Sequence, residues 1–394
     1  MRLTPQQAIA RLQPQGKKKA KGAKAIELID AIGVAEDDVF ILGNADGGML
    51  APADDTLPPI LGTWEEGGEM PPSLQDWLQE YASEVQWWQR VGETLETPTN
   101  AQAKVKAAPR QSVPVILDTK WSQKSPYNDM CIFDGKRCAT GCIATATAQV
   151  IYHWKEFERG CIGTDAYITS TNGYEVDALP TIITFNYKNL VKNPKTEEEK
   201  KAVAQLMAYL GRTLHSNYTP NSTGAYLHEV ADCLRDNIRL CNTAKAIFAS
   251  KIGEVEFEKR IYNEIANHRP VIIGGSMASG GGHAFVIDGY DAAQDLYHIN
   301  WGWGGSYNGW FAMSALSPNK SYAFNAKKDA VIGIQPNRKW GDVNGDGEVN
   351  IADAMQAMTL VQQGKISEVA DINYDGQVTI TDVQVIINKI LGKL

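Results

Sequence analysis

No stretch of this chain is apolar for long enough to cross a bilayer. A helical span needs roughly 18 such residues, and every apolar run breaks well before that. A basic excess is also missing. Against 46 Asp and Glu stand 38 Lys and Arg, a net charge of −8, without the basic face that nucleic acid demands. Neither nucleic acid nor a membrane span is therefore expected. Cysteine is sparse, with six in 394 residues, too few for a disulfide-built scaffold. Cys131 and Cys138 are spaced to close a short loop. The simpler expectation is that most of the six are ordinary thiols, which leaves the compartment open. A signal peptide is lacking too. Met1-Arg2-Leu3-Thr4-Pro5 opens on polar sequence, so the expectation is a cytosolic protein or one whose leader has been removed.

What is present is length for two or three domains, with 43% hydrophobic and 21% charged residues, a balance that builds real cores. The chain divides at composition shifts into 1–110, 111–337 and 338–394. The first part reads as a small α/β unit. It has a short helix at Leu3–Leu12, a solvated basic run at Lys17–Lys21, and apolar strands at Val39–Leu42 and Pro58–Gly62. Glycines at 43–48 read as a turn. Leu74, Trp77, Leu78, Tyr81 and Val85 recur at helical spacing. Thr97–Pro114 is rich in Ala, Pro, Lys and Thr and reads as an exposed linker, with Lys104, Lys106 and Arg110 as cut sites. In 111–337, helical patterns at 143–157, 197–214, 226–236 and 256–267 precede strand patterns at 271–273, 284–287, 296–299 and 330–334. Helices followed by strands predict an α+β domain whose second half is an antiparallel sheet.

One segment carries chemistry. In Gly141-Cys142-Ile143-Ala144-Thr145-Ala146-Thr147-Ala148-Gln149, the cysteine follows a glycine at the head of a small-residue stretch that reads as a buried helix. Unpaired N–H groups and the macrodipole at a helix start favour a thiolate, so Cys142 is a candidate nucleophile. A nucleophilic thiol needs a base. His283 is the candidate, with glycines at 280–282 before it and the apolar run Ala284–Ile287 after it. His153, His215, His228, His268 and His298 lie in weaker contexts. Acyl transfer also needs fixed oxyanion donors. The Cys142 N–H is one, and the Gln123 amide is the candidate for another. Asn300 is positioned in sequence to accept the imidazole N–H, and Trp301 and Trp303 to shield the pair from water while also packing.

The last part repeats. Asp342, Asn344, Asp346, Glu348 and Asp353 occupy positions 1, 3, 5, 7 and 12 of a calcium loop with Gly347 at 6. Asp371, Asn373, Asp375, Gln377 and Asp382 do the same around Gly376. Position 7 contributes its backbone carbonyl. Aspartate replaces the usual glutamate at position 12, and this tandem arrangement resembles dockerin-type repeats. The resemblance implies two structural calcium ions, an all-α module, and a cohesin-like or cell-surface partner.

With Gln123, Pro126-Tyr127-Asn128, the Cys142 segment, Gly282–Gly289 and Tyr297–Gly305 in view, residues 111–337 resemble the streptopain family, which includes interpain. That family comprises secreted bacterial papain-like cysteine peptidases. The resemblance implies a two-subdomain α+β peptidase, half helical and half antiparallel sheet, acting on protein or peptide substrates without a catalytic cofactor. It implies a Cys–His dyad, an oxyanion glutamine and site-lining tryptophans. Residues 1–110 resemble the family's prodomain, which implies an intramolecular inhibitor that disturbs the histidine until it is cut off, with the mature chain beginning near Gln111. Secretion is likewise implied. Two other readings stand beside the endopeptidase: a transglutaminase-like thiol acyltransferase, and a dockerin-type binding protein whose peptidase-like domain is inert.

Overall fold

The computed structural model describes residues 2–12, 26–33, 37–44, 47–67, 70–91, 109–154, 161–276, 282–314, 328–336, 341–344, 347–365, 367, 370–372 and 377–393. Lys17–Lys21, Lys104, Lys106, Gly280, Gly281, Asp346, Asn373 and Asp375 lie outside the described residues.

A large antiparallel sheet organises the fold. Its strands are β1 (Glu27–Ile32), β2 (Val39–Asn44), β3 (Gly47–Pro52), β4 (Gly62–Trp64), β5 (Lys245–Phe248), β6 (Val271–Ser276), β7 (Gly282–Asp291), β8 (Leu296–Asn300), β9 (Gly309–Phe311) and β10 (Lys328–Ile332). They lie in the order β1-β2-β3-β4-β9-β8-β7-β6-β10-β5. Side chains alternate between the two faces of a strand, and β7 shows both faces. Ala284 and Val286 enter one core with helix α3 (Cys142–Trp154) and helix α4 (Glu197–Thr213). Phe285 and Ile287 enter the other with helix α2 (Pro72–Val91) and helix α5 (Glu254–Ala266). The α+β expectation holds, with helices on both faces of the sheet.

The N-terminal region does not form a sheet of its own. β4 pairs with β9 through Gly309↔Trp64 and Phe311↔Gly62, so its four strands continue the main sheet. β3 was hidden in the sequence because Gly47 and Gly48 look like turn residues. A Cβ on Gly48 would fall 2.1 Å from the Trp64 ring, so the glycine lets the indole lie flat on the strand. Of the strand expected at 58–62 only Gly62 is in the ladder, since Pro58 and Pro59 have no N–H to donate. The helix expected over 226–236 is present from Glu229, as an α-helical turn at Glu229–Asp232 that widens into a π-helical turn at Cys233–Asn237, with no side-chain cap at its start. All six cysteines are free thiols.

Helix α2 lies across the sheet. Leu74, Trp77, Leu78, Tyr81, Ala82 and Val85 are buried, the stripe its periodicity predicts. Trp77 meets Phe285 edge-on at 5.3 Å and Trp301 at 6.3 Å between ring centroids. Tyr81 donates to the Leu61 carbonyl at 3.2 Å and to that of Ala312. At the C-terminus, α6 (Ile351–Gln363) and α7 (Ile380–Ile390) share a small core of Val343, Ala354, Ala357, Ile372, Val383 and Ile386.

Deleting the Trp77 indole removes the centre of the α2 seat. Trp77→Ala is expected to destabilise the intact chain by about 3–5 kcal/mol, the usual cost of emptying a buried aromatic site. Chemical denaturation followed by tryptophan fluorescence measures it; an unchanged midpoint would contradict the packing described.

Candidate active site

Cys142 is the first residue of α3, and Gly141 before it has φ +90°, a conformation that glycine adopts without strain. The thiol is half-buried. Burial lifts its pKa above the ordinary cysteine value, opposed by the backbone N–H groups of Ala284, Ile143 and Cys142 itself. The helix start thus does what the sequence suggests, but burial outweighs it. Among the described residues, no histidine is one of the groups that tip the balance.

The reason lies in the sheet. Ala284 faces α3, so His283, one residue earlier, is directed to the opposite face, where α2 lies. There His283 Nε2 stands 2.9 Å from Asp76 Oδ2. The oxygen is buried without an aligned hydrogen-bond donor, so this is a close contact and not a linear hydrogen bond. Burial lowers the imidazole pKa and Asp76 partly restores it; burial raises the Asp76 carboxyl, partly offset by His283. No hydrogen bond joins Cys142 and His283 among the described residues.

One helical turn on, Glu80 repeats the contact. Across the sheet His283 pairs with Gly275, and Gly275 pairs with Lys328, so two basic side chains on one face are separated by a residue with no side chain. Lys328 is buried. Its ammonium lies 3.2 Å from Glu80, donates to the Met313 carbonyl at 3.0 Å, and sits 5.0 Å from the centre of the Trp77 ring. Burial alone would lower its pKa, but Glu80, Glu84 and Glu254 push it above the ordinary lysine value. Asp76, Glu80 and Glu84 recur every four residues of α2, so the helix lays a row of acids along this face. Sequence reasoning missed all of these. The row was visible in the sequence, but nothing there says what it faces.

Gln123 is half-buried and lines a cleft of about 410 Å³ with Lys124, Asn128, Ala139, Pro220 and Trp303. Met70 and Gln75 of the N-terminal region line the same cleft. The Gln123 carbonyl accepts from Thr140 N at 3.3 Å, which ties it to the Cys142 approach. Trp301 is buried against Phe285 at 4.6 Å and donates Nε1 to the Tyr307 carbonyl at 3.0 Å. Asn300 is not brought to the imidazole. It sits opposite Val286 on the α3 face, where its Oδ1 accepts from Gln149 at 3.3 Å and from Gly302 N at 3.1 Å. Its Nδ2 donates to the Thr119 carbonyl at 2.8 Å. Gln149 is a positioning residue that the sequence did not single out: its Oε1 also accepts from Thr119 Oγ1 at 2.8 Å and Trp121 N at 3.3 Å, fastening the Gln123 segment to α3.

The C-terminal loops present hard oxygen donors. Asp353 and Asp382 are fully buried. Asp353 Oδ1 accepts from Val343 N at 2.7 Å and Asn344 N at 3.1 Å, and Asp382 Oδ1 from Ile372 N at 2.8 Å. Asp342 Oδ2 accepts from Gly347 N at 3.0 Å. All-oxygen loops folded around buried carboxylates fit Ca²⁺. No cluster of three His, Cys, Asp or Glu forms among the described residues, outside which Asp346, Asn373 and Asp375 fall.

Comparison with known proteins agrees with this geometry. Residues 121–311 match the peptidase C10 family model, and residues 340–391 match the dockerin type I domain model. Streptopain of Streptococcus pyogenes serotype M28 is 28% identical over 333 residues, covering 76% of this chain and 81% of its own. The thiol protease/hemagglutinin PrtT of Porphyromonas gingivalis is 28% identical over 324 residues, with 76% of this chain and 37% of its own covered. Among solved structures, a prointerpain A fragment from Prevotella intermedia superposes with a TM-score of 0.66 at 29% identity, covering 80% of this chain and 100% of the fragment. Active interpain A from the same organism gives 0.50 at 32% identity, covering 57% and 95%.

A thiol with a raised pKa is protonated at neutral pH and alkylates slowly. Iodoacetamide modification of Cys142 in the intact chain is expected to climb steeply only above about pH 8.5, the ordinary thiol value. Peptide mass spectrometry across pH 5–10 reads this. Rapid labelling of the intact chain at pH 6 would contradict the arrangement.

Proposed function

The chain belongs to the peptidase C10 family of cysteine proteases, and from that premise we propose that it is a zymogen held latent by its own residues 1–110. It is a cysteine protease. The observation that carries the latency reading is the contact of His283 with Asp76, on the opposite face of the sheet from the thiol. While α2 is seated, the base is engaged and the thiol stays protonated. Met70 and Gln75 also occupy part of the cleft that Gln123 lines. Proteolytic loss of the N-terminal region removes Asp76 and frees the imidazole to turn toward Cys142.

In the released enzyme the thiolate of Cys142 attacks the scissile carbonyl carbon, forming the C–S bond. The carbonyl electrons move onto oxygen, which is held by the Cys142 N–H and the Gln123 amide. The Cys142 N–H lies in the first turn of α3, where no intrahelical acceptor exists. His283, carrying the proton taken from the Cys142 thiol, gives it to the amine as the C–N bond breaks and the carbonyl re-forms. It then takes a proton from water as the water oxygen attacks the thioester, and returns it to sulfur as the C–S bond breaks. Trp303 lines the cleft wall. Trp301 packs behind Phe285 at the His283 strand. Asn300 acts through the Gln149 network and so positions the Gln123 segment.

Residues 338–394 form the second functional unit, a dockerin-type module. Asp342, Asn344, Asp346, Asp353 and the Glu348 carbonyl would hold one calcium ion, and Asp371, Asn373, Asp375, Asp382 and the Gln377 carbonyl a second. The ions would hold the two loops in the shape that lets α6 and α7 pack. A cohesin-type receptor, in an enzyme assembly or on a cell surface, is the partner this module fits. With that partner, an extracellular location follows.

Labelling with a thiol-directed epoxide tests latency directly. The intact chain is expected to react at least about tenfold more slowly than the chain lacking residues 1–110, and Cys142→Ala to abolish both labelling and casein hydrolysis. Asp76→Asn is expected to raise labelling of the intact chain while leaving the trimmed enzyme unchanged, because position 76 departs on trimming. Equal labelling of intact and trimmed protein would sink the latency reading. Chelation with EGTA is expected to abolish the far-UV helical signal of the isolated 338–394 segment and calcium to restore it; a helical signal indifferent to both would remove calcium from the account.

A further inference from the structure

Arg110 carries a set of contacts that an exposed linker residue does not have. Its guanidinium grips Glu258 of α5 with two nitrogens, Nη2 to Oε2 at 2.9 Å and Nη1 to Oε1. Nη1 also reaches the Tyr297 hydroxyl at 3.3 Å, and the Asp295 carboxylate lies 3.8 Å away. The ring of Tyr262 lies 4.6 Å from the guanidinium carbon and that of Tyr290 at 5.7 Å. Only 28% of the side chain is exposed. A bidentate carboxylate and stacked aromatics are the arrangement to which guanidinium is suited and an ammonium is not.

The residues after it are fastened as well. Gln111 N donates to the Tyr262 hydroxyl at 2.8 Å, and Ser112 Oγ accepts from Ala292 N at 2.9 Å. Val113 and Tyr290 exchange backbone hydrogen bonds at 2.7 and 3.0 Å. Every group in these contacts lies C-terminal to residue 109. The clamp is therefore built within the peptidase part of the chain and does not depend on α2.

We propose that the cut which frees the peptidase domain falls N-terminal to Arg110, and that Arg110 stays on the mature enzyme as the anchor of its N-terminal segment on α5 and β8. This rests on the zymogen reading above and corrects the mature terminus expected at Gln111. A protease cutting after Arg110 must take that side chain into its own pocket and extend the chain on both sides of the bond. Here the side chain is already held by Glu258, and the three following residues are hydrogen-bonded. Hydrolysis at Arg110–Gln111 would require all of these contacts to open together, whereas cuts further upstream break none of them.

The test uses the full chain carrying Cys142→Ala, so that self-cleavage and the fate of the activity reading do not enter. It is digested with trypsin, and the large fragment is weighed and sequenced from its N-terminus. The expected fragment begins at Ala107 or earlier, after Lys106 or Lys104, with cleavage at Arg110–Gln111 on the order of tenfold slower than these cuts. Two further variants keep the result interpretable. Arg110→Lys retains a residue that trypsin accepts but loses the bidentate grip, and Glu258→Gln removes the charge from the partner. Both are expected to shift the fragment to Gln111. A wild-type fragment starting at Gln111, or identical fragments from wild type and both variants, would overturn the proposal. Sequencing of the self-matured enzyme is expected to find Arg110 retained; a terminus at Gln111 there would overturn it equally.

Discussion

The seating of α2 on the sheet decides where His283 sits: under that helix its Nε2 lies 2.9 Å from Asp76, on the face opposite α3. With α2 seated, His283 and Asp76 are partly buried against one another, and Asp76 Oδ2 has no aligned hydrogen-bond donor among the described residues. That contact is weak taken alone, because its geometry is not that of a linear hydrogen bond. Its persistence derives from the packing around it: the Trp77 indole among Phe285 and Trp301, Tyr81 bridging two backbone carbonyls, and Lys328 paired with Glu80. In the zymogen proposed here, latency would be a property of a helix–sheet interface, with the His283–Asp76 contact as its outcome.

The thiol responds to the same constraint from the other side. A helix N-terminus offers N–H groups to Cys142, yet burial prevails while the imidazole is absent. In a thiol protease the charge on sulfur and the charge on the ring stabilise one another, so displacing the ring by a short distance withdraws the nucleophile as well. In the proposed zymogen, one contact on α2 would therefore disable both groups.

Much of this was legible in the sequence. The start of α3 could be read from Gly141-Cys142 and the small residues after it. Strand β7 could be read from the apolar run beyond His283, and α2 from its apolar stripe. The dockerin-type repeats could be read from side-chain spacing within a dozen residues. What was not legible depends on contacts between distant segments. Asp76, Glu80 and Lys328 are ordinary charges until the sheet brings Lys328 one strand away from His283's neighbour. Asn300 seemed suited to orient the imidazole by its distance along the chain, but strand parity turns it to the opposite face. Gln149, to which sequence reasoning assigned no role, ties three segments together. β3 was concealed because its glycines serve the Trp64 ring and not a turn.

The shared sheet has one more consequence. β9 is an interior strand only because β4 lies beside it. When the N-terminal region departs, β9 becomes a boundary, and an unpaired row of backbone donors and acceptors is a template on which other chains can add. The exposed stretch is short, three residues from Gly309 to Phe311. Brevity is one of the ways in which proteins keep such edges from recruiting neighbours. The release that would switch the enzyme on would also uncover an edge, and the shortness of that edge would help keep the freed molecule from sticking to its own kind.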